Sequence, residues 1–247
     1  MKTFAITDIG QKRDINQDFV YSSELPVGNL PNLFIVADGM GGHQAGDVAS
    51  RCTVEWMVDA IENSKEHNPV KLIRQAIEEA NQKLRAMAES DEDLAGMGTT
   101  LVVATVFDDY AYVANVGDSR LYIVSDEIRQ ITRDHSLVEE MVRSGTIPRE
   151  EARFHPKKNI ITRAVGARDT VMIDFFDVKL RQGDYMLLCT DGLTNMLDDE
   201  DIRIIMSQQT DMAGKADKLV EAANEKGGRD NISVMIVKPF SDEVKIC

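Results

Sequence analysis

A chain of 247 residues, 43 % of them hydrophobic, is long enough to bury a full core in one large domain or two small ones. Its 42 acidic against 28 basic residues give a formal charge of −14, which repels nucleic acid and anionic membranes because no Lys/Arg run offsets it. The opening residues lack the apolar core of a secretory signal, and no run of about 18 apolar residues is available to cross a bilayer, so a cytoplasmic protein without membrane insertion is expected.

Strand-like runs at about 3–10, 19–22 and 33–37 come first. Two helical patterns follow, at 45–65 (Val48, Ala49, Cys52, Trp56, Ile61) and 70–89 (Leu72, Ile73, Ala76, Ile77, Ala80, Leu84, Met87), with spacing that presents one apolar face each. Runs at 99–107, 110–116 and 121–124, joined by Asp108-Asp109 and the turn from Ser125-Asp126, read as antiparallel strands. A polar, irregular stretch at 136–163 precedes strands at 171–180 and 185–190. Helical patterns at 199–209 and 212–226 then lead to a last strand at 232–237. Strand and helix do not alternate as a parallel sheet requires, which predicts an α+β fold of layered antiparallel sheets. Cys52, Cys189 and Cys247 are scattered and form no Cys-x-x-Cys pattern, so neither a disulfide framework nor a zinc site is indicated, and Cys189 reads as a buried strand residue.

Four aspartates sit where such runs meet turns. Asp38 follows 33–37, Asp118 follows 113–117, Asp191 follows 186–190, and Asp230 precedes 232–237. Singly, each Asp-Gly or Gly-Asp pair is ordinary turn chemistry. Together they suggest a carboxylate cluster, which stays ionised only when cations neutralise it or its pKa values separate. In Asp38-Gly39-Met40-Gly41-Gly42-His43 the glycines let the backbone present a carbonyl beside the carboxylate, a donor pair that suits Mg²⁺ or Mn²⁺. A divalent-metal hydrolase is the first expectation.

The segments Arg13-Asp14-Ile15-Asn16-Gln17-Asp18, Asp38-Gly39-Met40-Gly41-Gly42-His43, Gly98-Thr99-Thr100, Val116-Gly117-Asp118-Ser119-Arg120, Thr190-Asp191-Gly192-Leu193 and Gly228-Arg229-Asp230-Asn231 resemble, in order and spacing, the successive motifs of the PP2C (metal-dependent protein phosphatase, PPM) family, in its bacterial serine/threonine form. The resemblance spans about residues 3–238. It implies two stacked antiparallel sheets flanked by helix pairs, in one phosphatase domain at 1–240 with a flap at about 142–163 and a short tail at 241–247. Residue by residue it implies that Asp38 bridges two ions, the Gly39 carbonyl holds the first, and Asp191 and Asp230 hold the second. Asp118, with Asp191, corresponds to a weaker third site, Asp18 to a carboxylate reaching the first ion through water, and Arg13 to the arginine that grips the substrate phosphate with its planar fork. The implied cofactor is Mn²⁺ or Mg²⁺. The implied reaction is hydrolysis of phosphoserine and phosphothreonine on proteins by a metal-bridging hydroxide, without a covalent phosphoenzyme. The implied counterpart is a kinase of the eukaryotic type, and a monomer is the expected state.

Met40 stands where animal members carry a histidine proposed as the general acid, and His43 is the nearby alternative. Gln17 stands where they carry glutamate and Asn195 where they carry aspartate. The flap is rich in Arg143, Arg149, Arg153, Lys157, Lys158 and Arg163, either to hold a phosphoprotein or as an ordinary solvated loop. His135 and His155 read as structural or surface residues, and Thr99 and Thr100 as a buried strand start. A two-metal nuclease would be expected to show basic grooves and stacking aromatics, against 6 % aromatics and a pI near 4.7 here. A catalytically dead phosphoprotein-binding module is opposed by the intact Arg13, Asp38, Asp191 and Asp230.

Overall fold

The computed structural model describes residues 1–42 and 44–240; His43 and the tail at 241–247 lie outside the described residues. Its elements in chain order are β1 (Lys2–Asp8), β2 (Asp18–Ser23), β3 (Leu33–Met40), α1 (Ala45–Asn63), α2 (Pro69–Ser90), β4 (Gly98–Thr99), β5 (Leu101–Phe107), β6 (Tyr110–Val116), β7 (Arg120–Val124), β8 (Ile128–Gln130), α3 (Leu137–Arg143), α4 (Arg149–Ala152), β9 (Asp174–Lys179), β10 (Tyr185–Cys189), α5 (Asp191–Thr194), α6 (Asp199–Met206), α7 (Met212–Glu225) and β11 (Ile232–Lys238). One sheet runs β1-β11-β10-β7-β8; the other runs β2-β3-β5-β6-β9, with β4 joined to β3. Every strand pair is antiparallel.

The central strands are apolar at nearly every position because both of their faces are covered. Side chains alternate across a strand. In β3, Phe34 and Val36 turn towards the other sheet and meet Leu121, Met186, Leu188 and Met235. Leu33, Ile35 and Ala37 turn the opposite way, onto Val54, Met57, Ile73 and Ile77 of α1 and α2. The second sheet repeats the arrangement, with Tyr122, Leu187, Val234 and Ile236 packed against Leu193, Ile202 and Leu219 of α5, α6 and α7. Each such side chain contributes about 1.5–3 kcal/mol by leaving water. The result is four layers, helix, sheet, sheet and helix, as the motif resemblance implies. Among the described residues no helix is long and apolar enough to cross a membrane.

The expected run at 99–107 is divided at Thr100, because Gly98 and Thr99 pair with Met40 and Gly39 while Leu101 onwards pairs with β6. For the same reason β3 does not stop at residue 37 but runs on to Met40, which puts Asp38 inside a strand and not at its end. The stretch at 136–163, which reads as irregular, contains α3 and α4. Ser136 caps α3 by accepting from the Glu139 N–H, and the Arg149 guanidinium donates to Glu139 across the two short helices. Strand β8 also escapes the sequence reading; it is an edge strand of three residues laid on β7.

Candidate metal and phosphate site

Register brings the aspartates to one end of the sandwich. Asp18 starts β2 and pairs directly with Asp38 of β3. Strands β6, β7, β10 and β11 all begin or end at the same rim, since Leu101 pairs with Val116, Arg120 with Cys189, and Cys189 with Val234. Asp118 lies in the turn between β6 and β7, Asp191 opens α5 after β10, and Asp230 precedes β11. A cleft of about 230 Å³ is lined by Arg13, Asp38, Gly39, Asp118, Asp191 and Asp230, with Gln17, Met40, Thr100 and Asn159 beside them. Asp18 does not reach its wall; it is 6 % exposed, behind Asp38.

Backbone clamps hold these positions. The Thr99 hydroxyl donates to the Asp38 carbonyl at 2.9 Å, and the Asp38 N–H donates to the Thr100 hydroxyl at 3.1 Å. These two threonines are therefore buried supports of Asp38, Thr99 at the end of β4 and Thr100 in the break between β4 and β5. Gly39 is required by close approach: a Cβ there would lie 1.9 Å from the Gly46 carbonyl oxygen at the start of α1. Gly117, at φ +107°, takes the left-handed turn that delivers Asp118, and a Cβ on it would strike Thr100. Its N–H donates to His135 Nδ1 at 3.0 Å, so His135 carries its proton on Nε2 and gives it to Asp174 at 3.1 Å. Burial lowers the His135 pKa, which keeps the ring neutral, and its role is structural as its sequence context suggests. At the opposite side of the rim, Asn231 ties the loop before Asp18 to β11 by donating to the Ile9 and Ile15 carbonyls and accepting from the Gln17 N–H.

The carboxylates are under electrostatic strain. Burial, then the charge of Asp18, raises the Asp38 pKa well above the usual carboxylate range; burial, then Asp191, does the same to Asp118. Burial pushes Asp18 up to about 7 even though the Ser233 and Thr190 hydroxyls donate to its Oδ2 at 2.7 and 2.8 Å. Asp191 rises to about 6 through burial and Asp230, against Lys158, Arg120 and a 2.8 Å hydrogen bond from Asn195. Asp18 Oδ1 and Asp191 Oδ1 are buried and have no hydrogen-bond partner. Unpaired buried carboxylate oxygens are costly unless a cation meets them. The all-oxygen donor set fits hard divalent ions. Among the described residues no three acidic, His or Cys side chains close around one point as a ready-made cage.

Arg13 lies at the mouth and donates to Asp230 Oδ2 at 2.8 Å; it is 48 % exposed, so this pair is weak and open to exchange. Met40 lines the cleft with a thioether that has no proton to give. Asn195 joins Asp191 to the segment after α4, because its Nδ2 donates to Asp191 and its Oδ1 accepts from Lys158 Nζ at 2.7 Å. The sequence carries no local signal for this link, nor for Thr190 and Ser233 behind Asp18, because the partners are 37, 172 and 215 positions apart.

The sequence profile of protein phosphatase 2C matches residues 10–233. The chain belongs to the protein phosphatase 2C family. With it, the chain joins the serine/threonine protein phosphatases. The protein phosphatase PhpP of Streptococcus pneumoniae is 42 % identical over 251 residues, covering 99 % of this chain and 100 % of that protein. The solved serine/threonine phosphatase Stp1 of Staphylococcus aureus superposes with a TM-score of 0.90 at 34 % identity, over 97 % of this chain and 95 % of that one. The catalytic domain of the serine threonine protein phosphatase PstP, solved in complex with two manganese ions, gives a TM-score of 0.83 at 32 % identity, over 95 % of this chain and 96 % of that one. The α+β sandwich of this protein phosphatase 2C chain is thus the fold of its solved relatives, and metal dependence goes with the family.

Proposed function

We propose that residues 1–240 act as one domain that hydrolyses phosphoserine and phosphothreonine on proteins in the cytoplasm, as a monomer, and that it opposes a eukaryotic-type serine/threonine kinase in signalling. The observation that carries the reading is the convergence of Asp38, Asp118, Asp191 and Asp230 from four distant segments on one cleft, with a buried, unpartnered oxygen on Asp191. Asp38, the Gly39 carbonyl, Asp191 and Asp230 would hold two ions, Mn²⁺ as in PstP or Mg²⁺ through the same oxygen donors. Asp118 with Asp191 would hold a weaker third, since Asn195 supplies no charge there. Asp18 would reach the first ion through water. Ions held there would supply positive charge for the phosphoryl oxygens and an acidified water as the nucleophile, so that none of these side chains would need to attack phosphorus itself.

Arg13 does the binding. Its guanidinium leaves the exposed contact with Asp230 and takes two phosphoryl oxygens, while the Thr99 and Thr100 bonds keep Asp38 from drifting as charge arrives.

Phosphate release from a phosphothreonine peptide by metal-stripped protein tests the reading. Turnover should appear only on addition of Mn²⁺ and vanish in Asp38→Ala. A folded protein that is inactive with every divalent ion would sink it.

A further inference from the structure

A second groove, of about 570 Å³, opens beside the acidic cleft. It is lined by Arg153, Lys158, Lys226 and Arg229, with Phe154 and Met196 between them, and no acidic residue contributes to its wall. In a chain of net charge −14 such a wall is a local reversal of sign. Lys226 is offset by Asp201 at 2.5 Å, and Lys158 is occupied by Asn195. The side chains of Arg153 and Arg229 have no hydrogen bond or ion pair among the described residues. Burial lowers the Lys158 pKa against the opposing charge of Asp191, and Arg153 and Arg229 add to the lowering, so the three cations lie close together. Phe154 is 83 % exposed, the largest exposure of any bulky apolar residue described. An unpaired cationic wall with an unshielded aromatic ring is a surface that gains by acquiring an anionic, partly apolar partner.

The groove is linked to the acidic cleft by hydrogen bonds and by the chain itself. Lys158 reaches Asp191 through Asn195 alone, and Arg229 precedes Asp230 in the chain. An extended peptide advances about 3.3 Å per residue, so a chain whose phosphorylated residue sits in the cleft would reach past Lys158 and Arg229 to Arg153 and Phe154 with its flanking residues. The geometry points to this groove as the site that docks acidic residues flanking the phosphoserine or phosphothreonine of a protein substrate. The inference rests on the phosphatase reading and adds to it a preference among substrates: aspartate or glutamate near the phosphorylated residue is favoured, and lysine or arginine there is repelled. A long polyanion such as nucleic acid does not fit the same argument, since the acidic remainder of the protein repels it.

The test compares a phosphothreonine peptide carrying glutamates on both sides with its Glu→Gln counterpart, on the Mn²⁺-supplemented full chain. Each is normalised to p-nitrophenyl phosphate, which has no flanking chain. The acidic peptide should show a kcat/KM about five- to tenfold higher, carried by KM and shrinking at high salt, as a few partly exposed ion pairs would produce. Arg153→Glu should abolish or invert the ratio, and Arg153→Gln should reduce it. Equal turnover of the two peptides by the parent protein, or an undiminished ratio in Arg153→Glu, overturns the groove assignment while leaving the phosphatase reading intact. Failure to release phosphate from all three substrates overturns the phosphatase reading and the groove with it.

Discussion

Strand β3 carries two opposed environments on one face. Phe34 and Val36 fill the layer between the sheets and make it stable, while Asp38, two positions further along the same face, sits with Asp18 in a setting that penalises its charge. The backbone is continuous through both. The difference teaches that the apolar layer is what holds the acidic rim together: without ions, the rim draws on stability that the layer supplies, and its return on that cost is a place for cations.

The largest expected effect comes from breaking the rim without touching the layer. Asp38→Ala should reduce Mn²⁺-dependent turnover by about a thousandfold or more, while thermal melting in EDTA stays unchanged or moves upward because a strained carboxylate is gone. A lower melting temperature in EDTA would erase the contrast between the two regions. The converse substitution, Phe34→Ala, should cost about 3–5 kcal/mol in urea denaturation. An effect below about 1 kcal/mol would mean that the inter-sheet layer is not the support claimed for it.

Acidity sharpens the same contrast. In the metal-free protein the folded-state pKa values of Asp18, about 7, and Asp191, about 6, lie above the value of about 4 for an unfolded aspartate. The folded state therefore holds more protons than the unfolded state between about pH 4 and 7, and stability falls as pH rises through that window. Urea midpoints in EDTA should be lower at pH 7.5 than at pH 5. Saturating Mn²⁺ should flatten or reverse the trend, because it binds the ionised folded form. The smallest effect belongs to Arg13→Ala. KM should rise about tenfold with kcat little changed, and stability should move by less than about 0.5 kcal/mol because the Arg13–Asp230 pair is largely exposed. A fall in kcat with KM intact would assign Arg13 to the chemical step instead.

The layers were legible in the sequence because their signals are local. The 3.6-residue spacing of Leu72, Ile73, Ala76 and Ile77 gives α2, and the uninterrupted run from Leu33 to Ala37 gives a strand covered on both sides. Asp38, Gly39, Asp118, Asp191, Asp230 and Arg13 were found by motif, and all six line one cleft. Asp18 was found by motif too, but its depth behind the cleft depends on Thr190 and Ser233, which no spacing rule links to it. Other features were hidden for a comparable reason. Strand β8 exists only as a partner of β7, the extension of β3 to Met40 depends on Gly98 and Thr99, and α3 has only seven residues over which to show a period before Gly145 and Pro148 interrupt. The cationic groove brings together side chains from 153 to 229, so no window of sequence displays it.

The pairing of β1 with β11, Lys2 opposite Lys238 through Asp8 opposite Ile232, has a consequence for biosynthesis. β11 lies between β1 and β10, and Asp230 and Asn231 lead into it. A nascent chain on the ribosome has exposed edges on β1 and β10 and an incomplete rim until β11 emerges. A chain cut before Asp230 is therefore left with two unpaired edges and an unclosed rim, so the acidic cleft and the sheet that supports it form together or not at all.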